Sequence, residues 1–273
     1  MFSRKKKDCY YLESALISTK TEFLHEAQAS SSRYKLATQY AQDKVILDIG
    51  CGAGYGSYKL IRAGAKKVYG VDAIANSIEY CQTHHFNPGL FFKQGDITHL
   101  DFDDNSFDLI CAFEVIEHIK NYEKAVSELH RVLKPGGLLI ISTPNKAIYS
   151  PDTKKPFHPF HYHEWFLNDF KKILIGFKIQ KILGQYFKDS ERLLYPKWSP
   201  KRFVRVLYAN LPSIIKKLIY HGYLKVYFYL YKKGLYHPKE IKPSDIYYSG
   251  DLSKTGAFIA ICQKLPKREL SDV

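Results

Sequence analysis

The sequence lacks the features that mark secreted, zinc-binding and membrane-spanning proteins. Its five cysteines are scattered without a CxxC pair, so we expect reduced thiols rather than disulfides or a zinc site. No stretch reaches the roughly 18 uncharged apolar residues of a membrane span. The basic N-terminus also lacks the apolar run that a secretion signal needs. These absences predict a cytoplasmic protein.

Acidic residues are scarce as well. The chain of 273 residues has 27 Asp and Glu against 41 Lys and Arg, which gives a net charge of +14. Such a charge permits nucleic acid, an anionic membrane surface or a phosphorylated substrate as partner, and it does not choose among them. The length allows one large α/β domain that carries an insertion.

The dinucleotide-binding pattern GxGxxG is missing, although glycines cluster in residues 44–57, KVILDIGCGAGYGS. Residues 45–49 predict a buried parallel strand. After it comes a tight turn in which a ligand can rest on main-chain N–H groups, built from Gly50, Gly52, Gly54 and Gly56. GxGxxG would need a glycine at Tyr55 or Ser57. The pattern is instead DxGxGxG.

Predicted strands and helices alternate after this turn. A helix over residues 21–41 precedes the first strand, and four further strands are predicted at residues 66–72, 90–93, 106–112 and 138–142. The helices between them include residues 58–62, 74–83 and 121–133. Strands that alternate with helices require right-handed crossovers and a parallel sheet. The fold class is therefore α/β, with a doubly wound sheet.

An acidic residue follows or ends each of the first four strands. These residues are Asp48, Asp72, Asp96 and Glu114. Because ligands on a doubly wound sheet bind beyond the carboxyl ends of the strands, we expect the four carboxylates to converge on one crevice. There they can meet hydroxyl, amino and positively charged groups of a ligand.

Five blocks over about 100 residues resemble class I S-adenosylmethionine (SAM) methyltransferases in order and spacing. The blocks are DxGxGxG, VYGVDAI (68–74), GDI (95–97), FDLICAFEVIEH (107–118) and LKPGGLLIISTPN (133–145). The resemblance implies a Rossmann-like, mostly parallel seven-stranded sheet, whose last strand is antiparallel between strands five and six. It also implies methyl transfer with SAM as cofactor.

The resemblance assigns cofactor-binding residues position by position. The methionine end would meet Asp48, Gly50, Gly52 and Gly54. The ribose and adenine would meet Asp72, Ile74, Asp96 and Ile97, and Glu114 also joins the cofactor site.

Two interpretations compete for the polar side chains on the reacting side of the crevice. In the first, the catalytic set is His118, Glu114, His161 and His163, with His118 as general base and the loop that contains His158 as a lid. In the second, a divalent metal binds Glu114, Glu117, His118 and either His161 or His163. That set, with the pair Glu164 and Trp165, resembles small-RNA 2′-O-methyltransferases. The same blocks also resemble ubiquinone-biosynthesis O-methyltransferases, and we favour the interpretation without a metal.

The chain divides into five predicted segments. Residues 1–43 are an N-terminal helical segment, 44–185 the SAM-binding core, 250–264 the last core strand and 265–273 a polar tail. Residues 186–249 are a basic, aromatic helical insertion with 13 Lys and Arg against four Asp and Glu.

The insertion includes a predicted amphipathic helix over residues 213–235. Its apolar face contains Ile215 and Ile219, and Lys217 and His221 lie opposite. Such a helix can pack on the core, touch an anionic membrane, or bind nucleic acid, which we favour least.

These observations predict a SAM-dependent methyltransferase acting on an oxygen atom. The expected acceptor is a small molecule or a lipid-linked or glycan substrate, and methylation of an RNA ribose 2′-oxygen with a metal is the alternative. A SAM-binding or membrane-attached scaffold without catalysis is a third hypothesis.

Overall fold

The structure, a computed structural model, describes residues 24–151, 153–187, 207–219, 221–222, 246–252 and 255–265. Its eight strands are β1 (Val45–Ile49), β2 (Lys67–Asp72), β3 (Leu90–Gln94), β4 (Phe107–Phe113), β5 (Leu133–Pro144), β6 (Phe177–Phe187), β7 (Ile246–Ser249) and β8 (Ala257–Lys264). They form one sheet in the order β3-β2-β1-β4-β5-β8-β6-β7.

Six helices have defined bounds in the described part of the chain. They are α1 (Leu24–Thr38), α2 (Tyr55–Arg62), α3 (Ala75–His84), α4 (Tyr122–Val132), α5 (Lys146–Tyr149) and α6 (Leu167–Ile173). A short 3₁₀ helix spans Ile116–His118. Residues 207–210 and 213–219 are also helical.

The first five strands are parallel, and β8 lies antiparallel between β5 and β6, as predicted. The α/β class and the Rossmann-like arrangement are confirmed. The sheet has one strand more than the predicted seven, because β7 pairs antiparallel with β6. This strand lies in the segment that was expected to be helical.

Buried side chains fill both faces of the sheet because neighbouring residues of a strand point to opposite sides. Leu47 and Ile110 join one apolar cluster with α4 and α6. Ile46 and Leu109 join the other cluster with α1 and α2. The sheet is therefore covered on both sides, and the carboxyl ends of β1, β2 and β4 lie at one edge.

Several element boundaries differ from prediction. The helix predicted over 121–133 ends at Val132, and β5 starts at Leu133, so Pro135 lies inside a strand. The sequence also predicts a helix over residues 164–175, and the helix in the structure is shorter and spans Leu167–Ile173. The helix predicted over 21–41 is one continuous helix in the described residues and ends at Thr38.

The predicted amphipathic helix can be followed only in part. Residues 213–219 and 221–222 are helical, and residues 223–235 lie outside the described residues. The burial differs from the predicted faces, because Ile215 and Ile219 are each 40% exposed whereas Lys216 is buried. Lys216 Nζ donates to the carbonyl oxygens of Pro156 and Ala209. The helix is therefore connected by this lysine to the loop that contains His158.

Residues 1–23 and 266–273 lie outside the described part of the chain, and so does most of the predicted insertion. Among the described helices, none combines the length and the apolar character needed to cross a lipid bilayer.

Candidate active site

The glycine turn after β1 is open on one side, at Gly52. Gly50, Gly52 and Gly54 have positive φ angles of 71°, 54° and 78°, which residues with a β-carbon rarely adopt. A β-carbon at Gly50 would lie 2.2 Å from Val115, and one at Gly54 would lie 2.7 Å from the sulfur of Cys81. No atom lies within 4 Å of the β-carbon position of Gly52. The turn is thus tightly packed at Gly50 and Gly54 but open at Gly52, where a ligand can approach the backbone.

Asp48 supports this turn from inside the protein. It is fully buried, and its carboxylate accepts hydrogen bonds from Tyr34 Oη at 2.8 Å and from Ser57 Oγ at 2.5 Å. Burial raises the pKa of Asp48 to about 7, although both hydroxyl donors act in the opposite direction. Asp48 therefore ties α1 and α2 to the end of β1, and its predicted contact with a cofactor stays a prediction.

Asp72 connects the turn to the next strand. Its Oδ2 accepts from the Gly52 N–H and its Oδ1 from the Ile74 N–H, both at 2.9 Å. Burial raises the pKa of this carboxyl group above its usual value. Because each carboxylate oxygen has a second lone pair, Asp72 can still accept hydrogen bonds from a ligand diol beside the open turn.

Asp96 and Ile97 follow β3 at the same edge of the sheet. Asp96 Oδ1 accepts from both the backbone N–H and the hydroxyl of Thr98 at 2.8 Å, so one oxygen caps its own loop. Ile97 is buried in the apolar core. The loop conformation is thus fixed by Asp96 itself, which leaves the other carboxylate oxygen for a ligand.

Glu114 lies directly after β4 in a conformation that is unusual for a residue with a side chain. Its φ angle is +54°, which costs about 1 kcal/mol or more for such a residue. Its Oε1 accepts from Ser142 Oγ at 2.6 Å and lies 3.6 Å from Nη1 of Arg33. The strained backbone and these two partners fix the carboxylate at the carboxyl end of the strand.

Glu117, three residues after Glu114, is a buried carboxyl group. Its Oε2 accepts from Thr143 Oγ1 at 3.3 Å, whereas Oε1 is buried and has no hydrogen-bond partner among the described residues. Burial, followed by repulsion from Glu114, raises its pKa well above the usual range. Its backbone carbonyl accepts from the N–H groups of Tyr162 and His163, which attaches the histidine loop to the end of β4.

His118 and His161 face each other, with 4.8 Å between their ring centroids. Nδ1 of His118 lies 3.1 Å from the Phe160 carbonyl oxygen, and Nδ1 of His161 lies 2.8 Å from Glu164 Oε1. Since these oxygens accept, each Nδ1 carries the proton and each neutral ring keeps a lone pair on Nε2. Burial lowers the pKa of His118 and, more strongly, that of His161.

His163 lies away from this pair. Its Nε2 is 3.1 Å from the carbonyl oxygen of Lys120, and its ring stacks on Trp165. His158 is close instead, with its ring centroid 4.2 Å from that of His161. Of the two histidines predicted as alternatives, the structure brings only His161 to His118.

The cluster that results has three members with metal-ligating atoms. Glu117, His118 and His161 each offer one such atom, and these atoms lie within 4.8 Å of one another. Glu114, the fourth predicted member, is engaged by Ser142 and Arg33 instead. The arrangement places a carboxylate oxygen and two imidazole nitrogens beside the carboxyl ends of β4 and β5. Such a group can take a proton, orient a hydroxyl, or hold a cation.

Comparison with protein families gives a match over residues 47–141 to the family described as a methyltransferase domain. This range begins in β1 and ends in β5, and it contains the glycine turn, Asp72, Glu114 and Glu117. Residues 47–141 of the chain are a methyltransferase domain.

Curated relatives of this methyltransferase domain share about a third of its residues. A protein of Mycolicibacterium smegmatis named as a SAM-dependent methyltransferase is 34% identical over 143 residues, which are 52% of this chain and 54% of that protein. The mitochondrial ubiquinone biosynthesis O-methyltransferase of Dictyostelium discoideum is 35% identical over 117 residues, 38% of this chain and 36% of that protein. The phthiotriol/phenolphthiotriol dimycocerosates methyltransferase of Mycobacterium leprae is 38% identical over 108 residues, 39% of this chain and 40% of that protein.

Solved structures extend the likeness of the fold beyond the matched domain. A methyltransferase in complex with the Haloferax volcanii Trm112 activator has a TM-score of 0.63 at 12% identity, covering 97% of this chain and 98% of that one. A SAM-dependent methyltransferase of Thermotoga maritima has a TM-score of 0.58 at 18% identity, covering 93% and 98%. In sequence, the chain spans about half the length of the first curated relatives it matches.

The residues of the methyltransferase domain fit SAM as the cofactor. The open face at Gly52 can accept a ligand, and Asp72 beside it has lone pairs for a ribose diol. Glu114 provides a negative charge for an ammonium or sulfonium group, whose positive charge it would stabilise.

Sequence analysis missed two polar residues of α1 that reach the site. Tyr34 binds Asp48, and Arg33 approaches Glu114. The sequence shows only that these two residues are neighbours on one helix, because the residues that they contact lie elsewhere in the chain. Ser142 and Thr143, which bind Glu114 and Glu117, were within a recognised block but were not identified as site residues.

Proposed function

We propose that the protein transfers the methyl group of SAM to an oxygen atom of an acceptor. The observation that carries this proposal is the pair of neutral imidazoles, His118 and His161, held by their Nδ1 atoms beside the buried Glu117. Such groups suit an acceptor that must lose a proton during the reaction. His118 is three residues after Val115, which packs against Gly50 of the glycine turn.

SAM, when bound, supplies a methyl group that is already activated by its sulfonium. The chain therefore has to align an acceptor hydroxyl and to take its proton. In our proposal, His118 Nε2 would accept that proton, and SAM held at the glycine turn would supply the methyl group to the acceptor oxygen. Glu117 and His161 orient His118, and the loop around His158 shields the acceptor from water.

The proposed acceptor is a small molecule, a glycan, or the hydroxyl of a lipid-linked molecule. Support comes from relatives whose names include a ubiquinone biosynthesis O-methyltransferase and a phthiotriol dimycocerosates methyltransferase. Further support comes from the exposed apolar side chains Ile214 and Leu218, 59% and 56% exposed, on the helix that Lys216 connects to the histidine loop. We propose that this helix meets an anionic membrane surface from the cytoplasmic side.

One observation favours a second candidate, in which a divalent metal assists the transfer. Glu117 Oε1 is buried without a partner, and it lies 3.9 Å from Nε2 of His118. Two imidazoles and one carboxylate suit zinc, manganese or iron(II) better than calcium. A metal there would bind two neighbouring hydroxyls of an acceptor, such as those of an RNA ribose, and lower their pKa.

Incubation of the protein with SAM labelled in its methyl group and fractionated cell extract tests both candidates. Label in a lipid, glycan or small-molecule fraction, retained in excess EDTA, is the expected result. Label in RNA that disappears with EDTA and returns with manganese would establish the second candidate. Binding of SAM without labelling of any fraction would contradict both and favour a scaffold. Replacement of His118 by Asn should remove most of the labelling while SAM binding persists.

A further inference from the structure

Five lysines lie in or beside the loop that contains His158, between α5 and α6. They occur in residues 146–165 and 207–222, and we call them the lysine cluster: Lys146, Lys154, Lys155, Lys216 and Lys217. The same two stretches contain two acidic residues, Glu164 and Asp152, of which Asp152 lies outside the described residues. Five positive charges against at most two negative ones leave an excess of at least three.

Two hydrogen bonds bring lysines from different helices to this loop. Lys146 is the first residue of α5, and its Nζ donates to the carbonyl oxygen of Lys154 at 3.2 Å. Lys216 belongs to the helix at 213–219, and its Nζ donates to the carbonyl oxygen of Pro156 at 3.0 Å. Pro156 follows Lys155 directly in the sequence. The lysines are thus close together in the fold, although about 60 residues of chain separate them.

Four members of the lysine cluster form no ion pair with any residue that the structure describes. These four are Lys146, Lys154, Lys155 and Lys216. Glu164 is 7% exposed, and its two oxygens accept from His161 Nδ1 and from Ser150 Oγ. The charges of the lysines are therefore available to an anion that comes from outside.

Lys216 is a cation held inside the protein by neutral groups. It is 6% exposed, and both of its acceptors, the carbonyl oxygens of Pro156 and Ala209, are uncharged. Burial, and after it the positive charge of Lys155, lower the pKa of Lys216. Because the two ammonium groups repel each other, an anion bound between them and the solvent would stabilise both.

A phosphoryl group suits the lysine cluster in charge and in reach. It carries up to two negative charges on three terminal oxygens, and the ammonium of Lys binds phosphate as a point charge on a flexible stem. Lys154 and Lys155 are exposed and Lys146 is partly exposed, so a ligand in solution can reach them.

The same loop connects the lysines to the histidines of the site. Thr153 Oγ1 donates to the carbonyl oxygen of Lys155 at 2.8 Å, which fixes the backbone of this lysine. Three residues before Thr153, Ser150 donates to Glu164, which in turn accepts from His161 at 2.8 Å. A molecule whose anionic group is held by these lysines is therefore held near His161, and its hydroxyl loses less entropy on alignment.

We propose that Lys146, Lys154 and Lys155 bind a phosphoryl group of the acceptor, while Lys216 adds its charge from inside the protein. This inference rests on the proposed function for the methyl transfer itself. It narrows the acceptor to a phosphorylated small molecule or a lipid that carries a phosphate. The lysines bind the acceptor and take no part in proton transfer.

Calorimetric titration with inorganic phosphate tests the site without any turnover. The wild-type chain should bind phosphate, and the double variant Lys154→Gln with Lys155→Gln should bind it at least about tenfold more weakly, because two charged donors are lost. The matched control is Lys171→Gln with Lys172→Gln, two adjacent exposed lysines of α6, and it should bind phosphate as the wild type does. S-Adenosylhomocysteine should bind equally to all three proteins.

A second measurement asks whether the methylated product contains phosphorus. Extract from cells grown with radioactive phosphate is incubated with the protein and with SAM that carries tritium in its methyl group. We expect both labels in one product, and the double variant of Lys154 and Lys155 should need about tenfold more extract for the same labelling. Both labels in the organic phase would assign the phosphate to a lipid, and both in the aqueous phase to a soluble small molecule.

A methylated product without phosphorus would overturn the inference. A product that ribonuclease degrades would overturn it as well, because the lysines would then contact a nucleic-acid backbone. So would equal phosphate binding by the wild-type chain and the double variant of Lys154 and Lys155, or no binding by either. Failure of the wild-type chain to bind S-adenosylhomocysteine would instead contradict the proposed function.

Discussion

Asp48 shows how a single side chain of a family motif can also hold neighbouring helices in place. The motif requires an acid at this position, but only the structure shows that its two oxygens are occupied by Tyr34 and Ser57. Sequence analysis could not find this, since Tyr34 belongs to a different helix. The structural role of the acid has a consequence for stability.

We predict that Asp48 makes the protein less stable as the pH rises toward neutrality. Its pKa is about 7 in the folded state and about 3.9 when unfolded. Between these values the folded state holds a proton that the unfolded state has released, so the free energy of unfolding falls with increasing pH. The total change is of the order of 4 kcal/mol.

Urea unfolding of the wild-type protein and Asp48→Asn at pH 5 and pH 8 measures this effect. The stability of the wild type relative to the variant should decrease between the two pH values. A buried carboxyl group such as Glu117 titrates in both proteins and cancels in the difference, whereas the charge of Asp72 contributes to it because it helps to raise the pKa of Asp48. Parallel pH profiles of the two proteins would contradict the prediction.

Alanine substitutions at two glycines of the turn should have sharply different effects on stability. Alanine at Gly52 meets no atom within 4 Å, so it should cost only about 1 kcal/mol for its positive φ while it blocks the open face. Alanine at Gly54 would meet Cys81 at 2.7 Å and Phe92 at 2.8 Å, and we expect a loss of roughly 3 kcal/mol in stability.

Thermal unfolding and binding of S-adenosylhomocysteine separate the two outcomes. Gly52→Ala should keep a near-normal Tm and lose at least about tenfold in affinity. Gly54→Ala should have a clearly lower Tm. A Gly52→Ala protein that binds the ligand normally would show that the open face is not the cofactor site.

At the scale of elements, the parallel strands could be predicted because their signal is local. The apolar run of β1 can be recognised from a few residues. So can each of the strands and helices that alternate after it. The edge strand β7 could not be predicted in this way, since its four residues are defined by pairing with β6. The residues EVIEH do not start an α-helix, because Glu114 has a positive φ and only Ile116–His118 form a 3₁₀ turn.

The contact between the helix at 213–219 and the histidine loop is an element-scale feature that can be tested. Lys216 Nζ donates to Pro156 O and Ala209 O. Methionine keeps the shape of this side chain and removes both bonds, each worth about 1.5 kcal/mol or more for a charged donor. We predict that Lys216→Met lets the loop open more often.

Hydrogen exchange of the Tyr162 and His163 amides, which donate to the Glu117 carbonyl, should become about tenfold faster or more in this variant. Lys172→Met, in which an exposed lysine of α6 is changed, is the control and should leave these amides unaffected. Unchanged exchange in Lys216→Met would mean that the loop is held by Glu117 alone.

For the whole molecule, charge and exposed apolar area predict where the protein operates. The net charge is +14, and the segment 186–249 contributes 13 basic against four acidic residues. We predict that the protein sediments with vesicles containing anionic phosphatidylglycerol and does so less at high salt, because salt screens the attraction.

Replacement of both Ile214 and Leu218 by serine should reduce this sedimentation severalfold, since it removes the apolar contact with the bilayer. Ile175→Ser is the matched control, because Ile175 is 82% exposed at a different place in the chain. Equal sedimentation of all three proteins would exclude this helix as the contact.

The position of β8 also determines when the sheet can be completed during protein synthesis. β8 separates β5 from β6, although about 110 residues of chain lie between Pro144 and Ala257. Until residues 257–264 have left the ribosome, β5 and β6 each have an unpaired edge. Such an edge can pair with strands of other chains. A nascent chain that stalls before this point should therefore depend on chaperones to stay out of aggregates.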